Sequence, residues 1–186
     1  SVYGLKKDQN VTEKSALDPL TDYSFYKMEC EKILMQYSKD SFQTVILRPA
    51  TVCGVSPRQR FDVVVNILCN LAYNKRLITV FGGEQLRPNV HMSDMVSAYL
   101  TVIESPIEKI NGEIFNVGLE NNTVLELARL VRSVVGSDVK IETQESDDNR
   151  SSLSYKLKNI LGMFAKNILT TDPYIKNDKD LINLQK

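Results

Sequence analysis

Apolar side chains recur at helical spacing through Tyr26, Cys30, Ile33, Leu34 and Tyr37. That spacing predicts a helix entered at Asp18 and Pro19 and running to about Ser38, with these residues on one buried face. Thr44-Val45-Ile46-Leu47 is a short, mostly β-branched run, the pattern of a strand buried in a parallel sheet. It empties into Arg48-Pro49-Ala50-Thr51-Val52-Cys53-Gly54, expected as a loop at the strand's C-terminal end, where open α/β sheets bind ligands. Phe61, Val64, Val65, Leu68 and Leu71 predict a second helix, and Ile78 to Phe81 a strand closed by Gly82-Gly83. Ser93 is expected to cap a third helix, whose Val96, Tyr99, Leu100 and Ile103 share a face. Glu113 to Val117 reads as a strand. Thr123-Val124-Leu125-Glu126 is a capping box opening a fourth helix, with Leu127, Leu130, Val131 and Val134 expected inside. Val139 to Glu142 is a last short strand. Helices and strands alternate throughout, so the fold class is α/β.

Composition narrows the function. The 23 basic and 23 acidic residues balance, and no basic run stands out, which argues against nucleic acid or a charged membrane surface as partner. No apolar run is long enough for a bilayer span. Cys30, Cys53 and Cys69 are odd in number and lack metal-type spacing, the pattern of reduced thiols in a cytoplasmic protein. His91 is the single histidine, which leaves a His-based zinc site or a Ser-His-Asp triad without support.

The candidate chemistry lies in Asp22-Tyr23-Ser24-Phe25-Tyr26-Lys27. On a helix, Tyr23 and Lys27 share a face and set an ammonium beside a phenol. A free phenol titrates near ~10, so it serves as acid or base near neutrality only with cationic help. One ammonium about 6 Å away stabilises a phenolate by roughly 2.8 kcal/mol at an effective dielectric of ~20. A second positive charge, such as an oxidised nicotinamide ring, is needed for the rest. Taken alone, the spacing also fits an ordinary tyrosine beside a solvated lysine, and Tyr3 with Lys7 repeats it next to the turn-forming Gly4.

The order of segments weighs more than any one of them. Ser1-Val2-Tyr3-Gly4, with the look of a strand end running into a turn, is followed by Pro19-x-x-x-Tyr23-x-x-x-Lys27-x-x-x-Glu31. Leu47 to Gly54, then Arg87-Pro88-Asn89-Val90-His91-Met92-Ser93-Asp94, then Phe115-Asn116-Val117-Gly118 complete the set. Over residues 1 to 162 the set resembles the later half of an extended short-chain dehydrogenase/reductase. More narrowly, it resembles the NAD-dependent epimerase/dehydratase family acting on nucleotide sugars.

The resemblance implies a catalytic acid/base at Tyr23 and, at Lys27, its electrostatic partner and a ligand of the nicotinamide ribose. It sets the backbone of Pro49 and Ala50 against the nicotinamide, and Thr51 toward the sugar. Arg87, and a second arginine at Arg150, would pair with the substrate pyrophosphate; the alternative for each is a solvated surface residue. His91 is expected to be structural packing. No metal is implied. Residues 1–57, joined by 87–118, would form part of a Rossmann-like NAD(P)-binding domain. Residues 58–86 and 119–186 would form a small α/β domain for the sugar nucleotide. The helix of Tyr23 and Lys27 would also form a homodimer contact, although its apolar residues equally fit a core.

Departures accompany the likeness. Tyr26 stands where the family usually has a small Ser or Thr, and Ser24 replaces a common Gly or Ala. No G-x-G-x-x-G turn links a strand to a helix, so the chain has no dinucleotide cradle of its own. The expectation is that the glycine-motif half and the family's catalytic Ser or Thr lie upstream of Ser1. NAD or NADP would then bind only with that half, and this chain would be inactive alone. The family's 4,6-dehydratases carry an acidic residue where this chain has Ser1, which favours an epimerase. A dehydratase, a reductase or a catalytically inactive NAD-binding homologue are the alternatives.

Overall fold

The computed structural model describes residues 2–4, 6, 11–39 and 41–145. Four helices, α1 (Asp22–Tyr37), α2 (Val64–Lys75), α3 (Met92–Glu104) and α4 (Val124–Val135), alternate with seven strands. The strands are β1 (Val45–Pro49), β2 (Thr51–Cys53), β3 (Leu77–Phe81), β4 (Leu86–His91), β5 (Glu113–Val117), β6 (Glu120–Thr123) and β7 (Lys140–Gln144). β1 pairs in parallel with β5, and β3 in parallel with β7. β4 is central to a third sheet, parallel to β2 and antiparallel to β6. Mixed α/β layering with parallel pairs is therefore the observed class.

Two hydrophobic clusters hold these elements. One gathers Tyr3, Val11, Met28, Ala50, Val90 and Met95 around β1, β4, α1 and α3. The other gathers Leu68, Ala72, Ile78, Val80, Leu127 and Val131, where α2 and α4 pack together over β3 and β7.

Local chemistry moves several boundaries. The first helix starts at Asp22 rather than at Pro19. Asp18 is held in the preceding segment by its N–H···O bond to Val2, 3.1 Å, and Thr21 Oγ1 instead caps the helix by accepting from the Ser24 amide. Val2–Gly4 is turn and coil, not a strand end. Gly4 has φ +65°, and any Cβ there would strike the Asp18 carbonyl at 1.8 Å, so glycine is required. Residues 51–53, expected within a loop, form β2 because they pair with Asn89–His91 of β4. The third helix is capped by His91, not Ser93: the His91 ring Nδ1 accepts from the Ser93 amide.

The apolar faces of the helices differ most from expectation. Tyr26, Ile33 and Tyr37 are 66%, 54% and 62% exposed, and α1 turns Ser24, Met28 and Glu31 inward instead. The reason is electrostatic. Glu31 meets Arg48 of β1 across three short contacts, Nε to Oε1 at 3.1 Å, Nε to Oε2 at 3.2 Å and Nη2 to Oε2 at 2.6 Å. Arg48 also donates to the Tyr3 hydroxyl at 2.8 Å and to the Glu13 carbonyl, while Tyr3 donates to Asn116 Oδ1 at 2.6 Å. Burial pushes the Tyr3 phenol up, against the lowering pull of Arg48 and Asn116. Burial opposes the Arg48 charge too, yet Glu31 and Tyr3 hold that guanidinium protonated above its usual range. Leu130 and Val134 of α4 likewise face outward, and on α3 the stripe from Val96 to Ile103 is the outer face, with Met95 and Ala98 inside.

Candidate active site

The C-terminal ends of β1 and β2 open into a cavity of about 810 Å³ bounded by the start of α1, the loop before α2, and β4. Ala50 alone separates β1, which ends at Pro49, from β2, and the two strands pair in different sheets. The Ala50 amide donates to the Val117 carbonyl at 2.7 Å, which pins the backbone across to β5. Tyr23, Pro49, Ala50, Thr51 and Arg87 all line this cavity. Lys27 does not, but its Nζ lies 5.8 Å from the centroid of the Tyr23 ring. Arg150 and Ser1 lie outside the described residues.

Each expected residue is positioned by its element. One helical turn separates Tyr23 from Lys27, and the Thr21 cap fixes where that turn begins. Tyr23 is 66% exposed, so water still screens the pair in this form of the site. Register sets Thr51 of β2 opposite Asn89 of β4, and Arg87 opposite Asn122 of β6. His91 caps α3 and packs on Gly54, where a Cβ would come within 2.9 Å of the ring Nε2.

Two arginines that the sequence reading passed over also line the cavity, Arg58 and Arg60. Their loop is stitched by its own side chains. Gln59 donates to the Gly54 carbonyl and accepts from the Ser56 amide, Ser56 Oγ accepts from the Arg58 amide, and Asn66 of α2 donates to the Arg60 carbonyl. Arg60 forms a two-bond fork with Asp62, Nε to Oδ1 at 2.9 Å and Nη2 to Oδ2 at 2.6 Å. Arg60 holds the Asp62 carboxyl below the usual carboxylate range. A usable signal was present: two arginines within Ser56-Pro57-Arg58-Gln59-Arg60, on the segment leaving the C-terminal end of β2. Among the described residues lining the cavity, three are arginine and none is acidic. No cluster of His, Cys, Asp or Glu among the described residues has metal-binding geometry, and no helix there is long and apolar enough to cross a membrane.

A mixed α/β framework whose cavity lies at the C-terminal ends of parallel strands is the arrangement in which open α/β sheets bind ligands. Comparison with known proteins places it further. Residues 1–118 match the NAD dependent epimerase/dehydratase family, and the chain belongs to that family. An uncharacterized UDP-glucose epimerase of Bacillus subtilis (strain 168) is 36% identical over 140 residues, 73% of this chain and 42% of that protein. The dTDP-D-glucose 4,6-dehydratase of Mus musculus is 29% identical over 166 residues, 84% of this chain and 45% of that protein. Among solved structures, the UDP-glucose 4-epimerase of Thermotoga maritima with UDP-glucose superposes at TM-score 0.72 and 25% identity, over 87% of this chain and 51% of that one. The UDP-glucuronic acid 4-epimerase of Bacillus cereus superposes at 0.71 and 26%, over 98% and 56%. The chain thus spans about half the length of the relatives it matches.

Proposed function

We propose that this chain is the later half of an NAD-dependent nucleotide-sugar epimerase, carrying part of the cofactor domain and the substrate domain. The observation that carries the reading is the convergence of Tyr23, the Pro49–Thr51 backbone and Arg87 on one cavity, with Lys27 beside the tyrosine. Tyr23 takes the proton of a sugar hydroxyl and returns it. Lys27 would stabilise the phenolate and would hold the nicotinamide ribose. Thr51 faces the sugar, and Arg87 pairs with the diphosphate, for which a guanidinium fork is suited. Arg150 is proposed as its second partner on sequence grounds alone.

Leu20, Pro49 and Met92 add apolar side chains to the cavity that Tyr23 also lines, a setting that would suit a nicotinamide ring. NAD held there would supply the hydride acceptor and donor for the sugar carbon. This chain's residues then orient the sugar, exclude water from the phenol and hold the proton. The two hydrophobic clusters support a cofactor-side unit of 1–57 with 87–118, and a substrate-side unit of 58–86 with the chain from 119 onward. The outward apolar face of α1 supports a homodimer through that helix, and three thiols without metal-type spacing support a cytoplasmic setting.

The test uses the natural full-length protein, NAD and a panel of UDP-, dTDP- and GDP-hexoses. Interconversion at a ring carbon without net NADH is expected, and Tyr23→Phe should lower it by ~10²–10⁴-fold, the usual worth of a positioned acid/base. Accumulation of a 4-keto-6-deoxy sugar would make the protein a dehydratase instead, and stoichiometric NADH release a simple dehydrogenase.

A further inference from the structure

Arg48 does not line the cavity, yet its contacts tie together three segments that do. It immediately precedes Pro49, Ala50 and Thr51 of the cavity wall. Its Nη1 donates to the hydroxyl of Tyr3, whose neighbour Gly4 also lines the cavity. Its Nε and Nη2 hold Glu31, about two helical turns along α1 from Tyr23. Only 7% of the Arg48 side chain and 15% of the Glu31 side chain stay exposed.

The pair also decides which side of α1 faces inward. At ~100° per residue, Tyr23, Tyr26, Cys30, Ile33 and Tyr37 fall within one sector of the helix, and Ser24, Met28 and Glu31 within another about 150° away. The hydrophobic effect alone would favour burying the first sector. That sector is instead the exposed one: Tyr23 and Tyr26 are each 66% exposed, whereas Ser24 and Met28 are 5% and 9%. Tyr23 therefore belongs to the side that the ion pair keeps out of the core, and its place at the cavity depends on that roll.

We propose that Arg48, acting through Glu31, is a positioning residue for Tyr23: the buried pair sets the roll of α1 that presents the phenol to the cavity. This rests on the epimerase reading above and adds to it a residue that touches neither sugar nor cofactor. A buried ion pair is a poor source of stability, since apolar residues of similar volume replace it at little cost. Its worth here is geometric. A carboxylate sunk beside β1 must meet the guanidinium, whereas an apolar side chain accepts several rolls.

The experiment is steady-state kinetics of the natural full-length protein with NAD, on the nucleotide hexose it interconverts from the UDP, dTDP and GDP panel. Calorimetric titration with the matching nucleoside diphosphate is run on the same variants. Glu31→Leu with Arg48→Met fills both positions without charge. This double variant should fold, bind the diphosphate within about 3-fold of the wild type, and lose kcat by roughly 10- to 100-fold, the scale of a misplacement near 1 Å. Arg48→Lys keeps the charge but not the fork, and its kcat should fall between the two. Glu31→Gln keeps an acceptor and should lower kcat by about 3- to 10-fold, the worth of one weakened hydrogen bond; it decides the matter if the double variant does not fold. Wild-type kcat in the folded double variant, or failing that in Glu31→Gln, overturns the positioning role and leaves the epimerase reading intact. So does a loss of diphosphate binding as large as the loss of kcat, which marks a general structural role. A wild-type protein that interconverts no nucleotide hexose overturns both.

Discussion

Removing the Glu31 carboxylate by Glu31→Ala leaves Arg48 charged, with only 7% of its side chain exposed and Tyr3 and the Glu13 carbonyl as its remaining partners. Breaking a buried ion pair from one side costs about 3–5 kcal/mol. Glu31 retains 15% exposure, which lets water reach the vacated space and sets the expectation near the lower end, about 3 kcal/mol. At ~2–4 °C per kcal/mol for a unit of this size, the first thermal transition of the full-length protein should drop by roughly 6–12 °C. Glu31→Gln, which keeps one acceptor, should lose less. The double variant Glu31→Leu with Arg48→Met removes both charges together, so it should be less damaging than the sum of its single changes by about 2 kcal/mol. Urea titration followed by far-ultraviolet circular dichroism, compared at constant m, measures each of these variants and the two single changes of the pair. A loss under about 1 kcal/mol for Glu31→Ala, or single effects that add within ~0.5 kcal/mol, would show that this pair does not orient α1.

Three further outcomes are expected. Gly54→Ala meets both a φ of +125° and a Cβ only 2.9 Å from the His91 ring; it should lose about 1–3 kcal/mol in the same urea assay. Hydrogen bonds from Thr123 hold the Glu126 carboxyl below the usual glutamate range. Its stabilisation is therefore present above the unfolded-state titration and lost as pH falls through the lower folded-state value, and Glu126→Gln should flatten the acid limb of a pH–stability curve. For the homodimer proposed through α1, Ile33→Asp, at a 54% exposed position on its outer face, should give monomer in sedimentation velocity without lowering the melting temperature; a wild-type monomer or an unchanged dimer would refute that interface.

Much of the fold is legible locally. β3, β5 and the Thr123–Glu126 capping box depend on short-range signals, namely β-branched runs and a reciprocal cap, and they fall where the pattern puts them. β4 is hidden because Arg87, Pro88 and Asn89 break any alternation. Pro88 is tolerated because β2 pairs only from Asn89 onward, so that side of the strand needs no amide at Pro88. The roll of α1 was illegible for a related reason: periodicity assumes that apolar residues face inward, whereas a partnered charge, Glu31, holds that face. Tyr23, Thr51 and Arg87, singled out through motif order, line the cavity, and Arg58 and Arg60, whose signal was only their place on the segment leaving β2, line it too.

The second hydrophobic cluster has a consequence for synthesis. It joins residues 64–80 to residues 124–141, and most of the chain between them, including α3 and β5, serves the first cluster or its sheet. On the ribosome, α2 and β3 emerge well before α4 and β7 exist to cover them. At ~5–20 residues per second they wait several seconds with Leu68, Ala72 and Val80 uncovered. Nascent chains stalled before residue 124 should therefore bind hydrophobic-peptide chaperones, and those released past residue 144 should not.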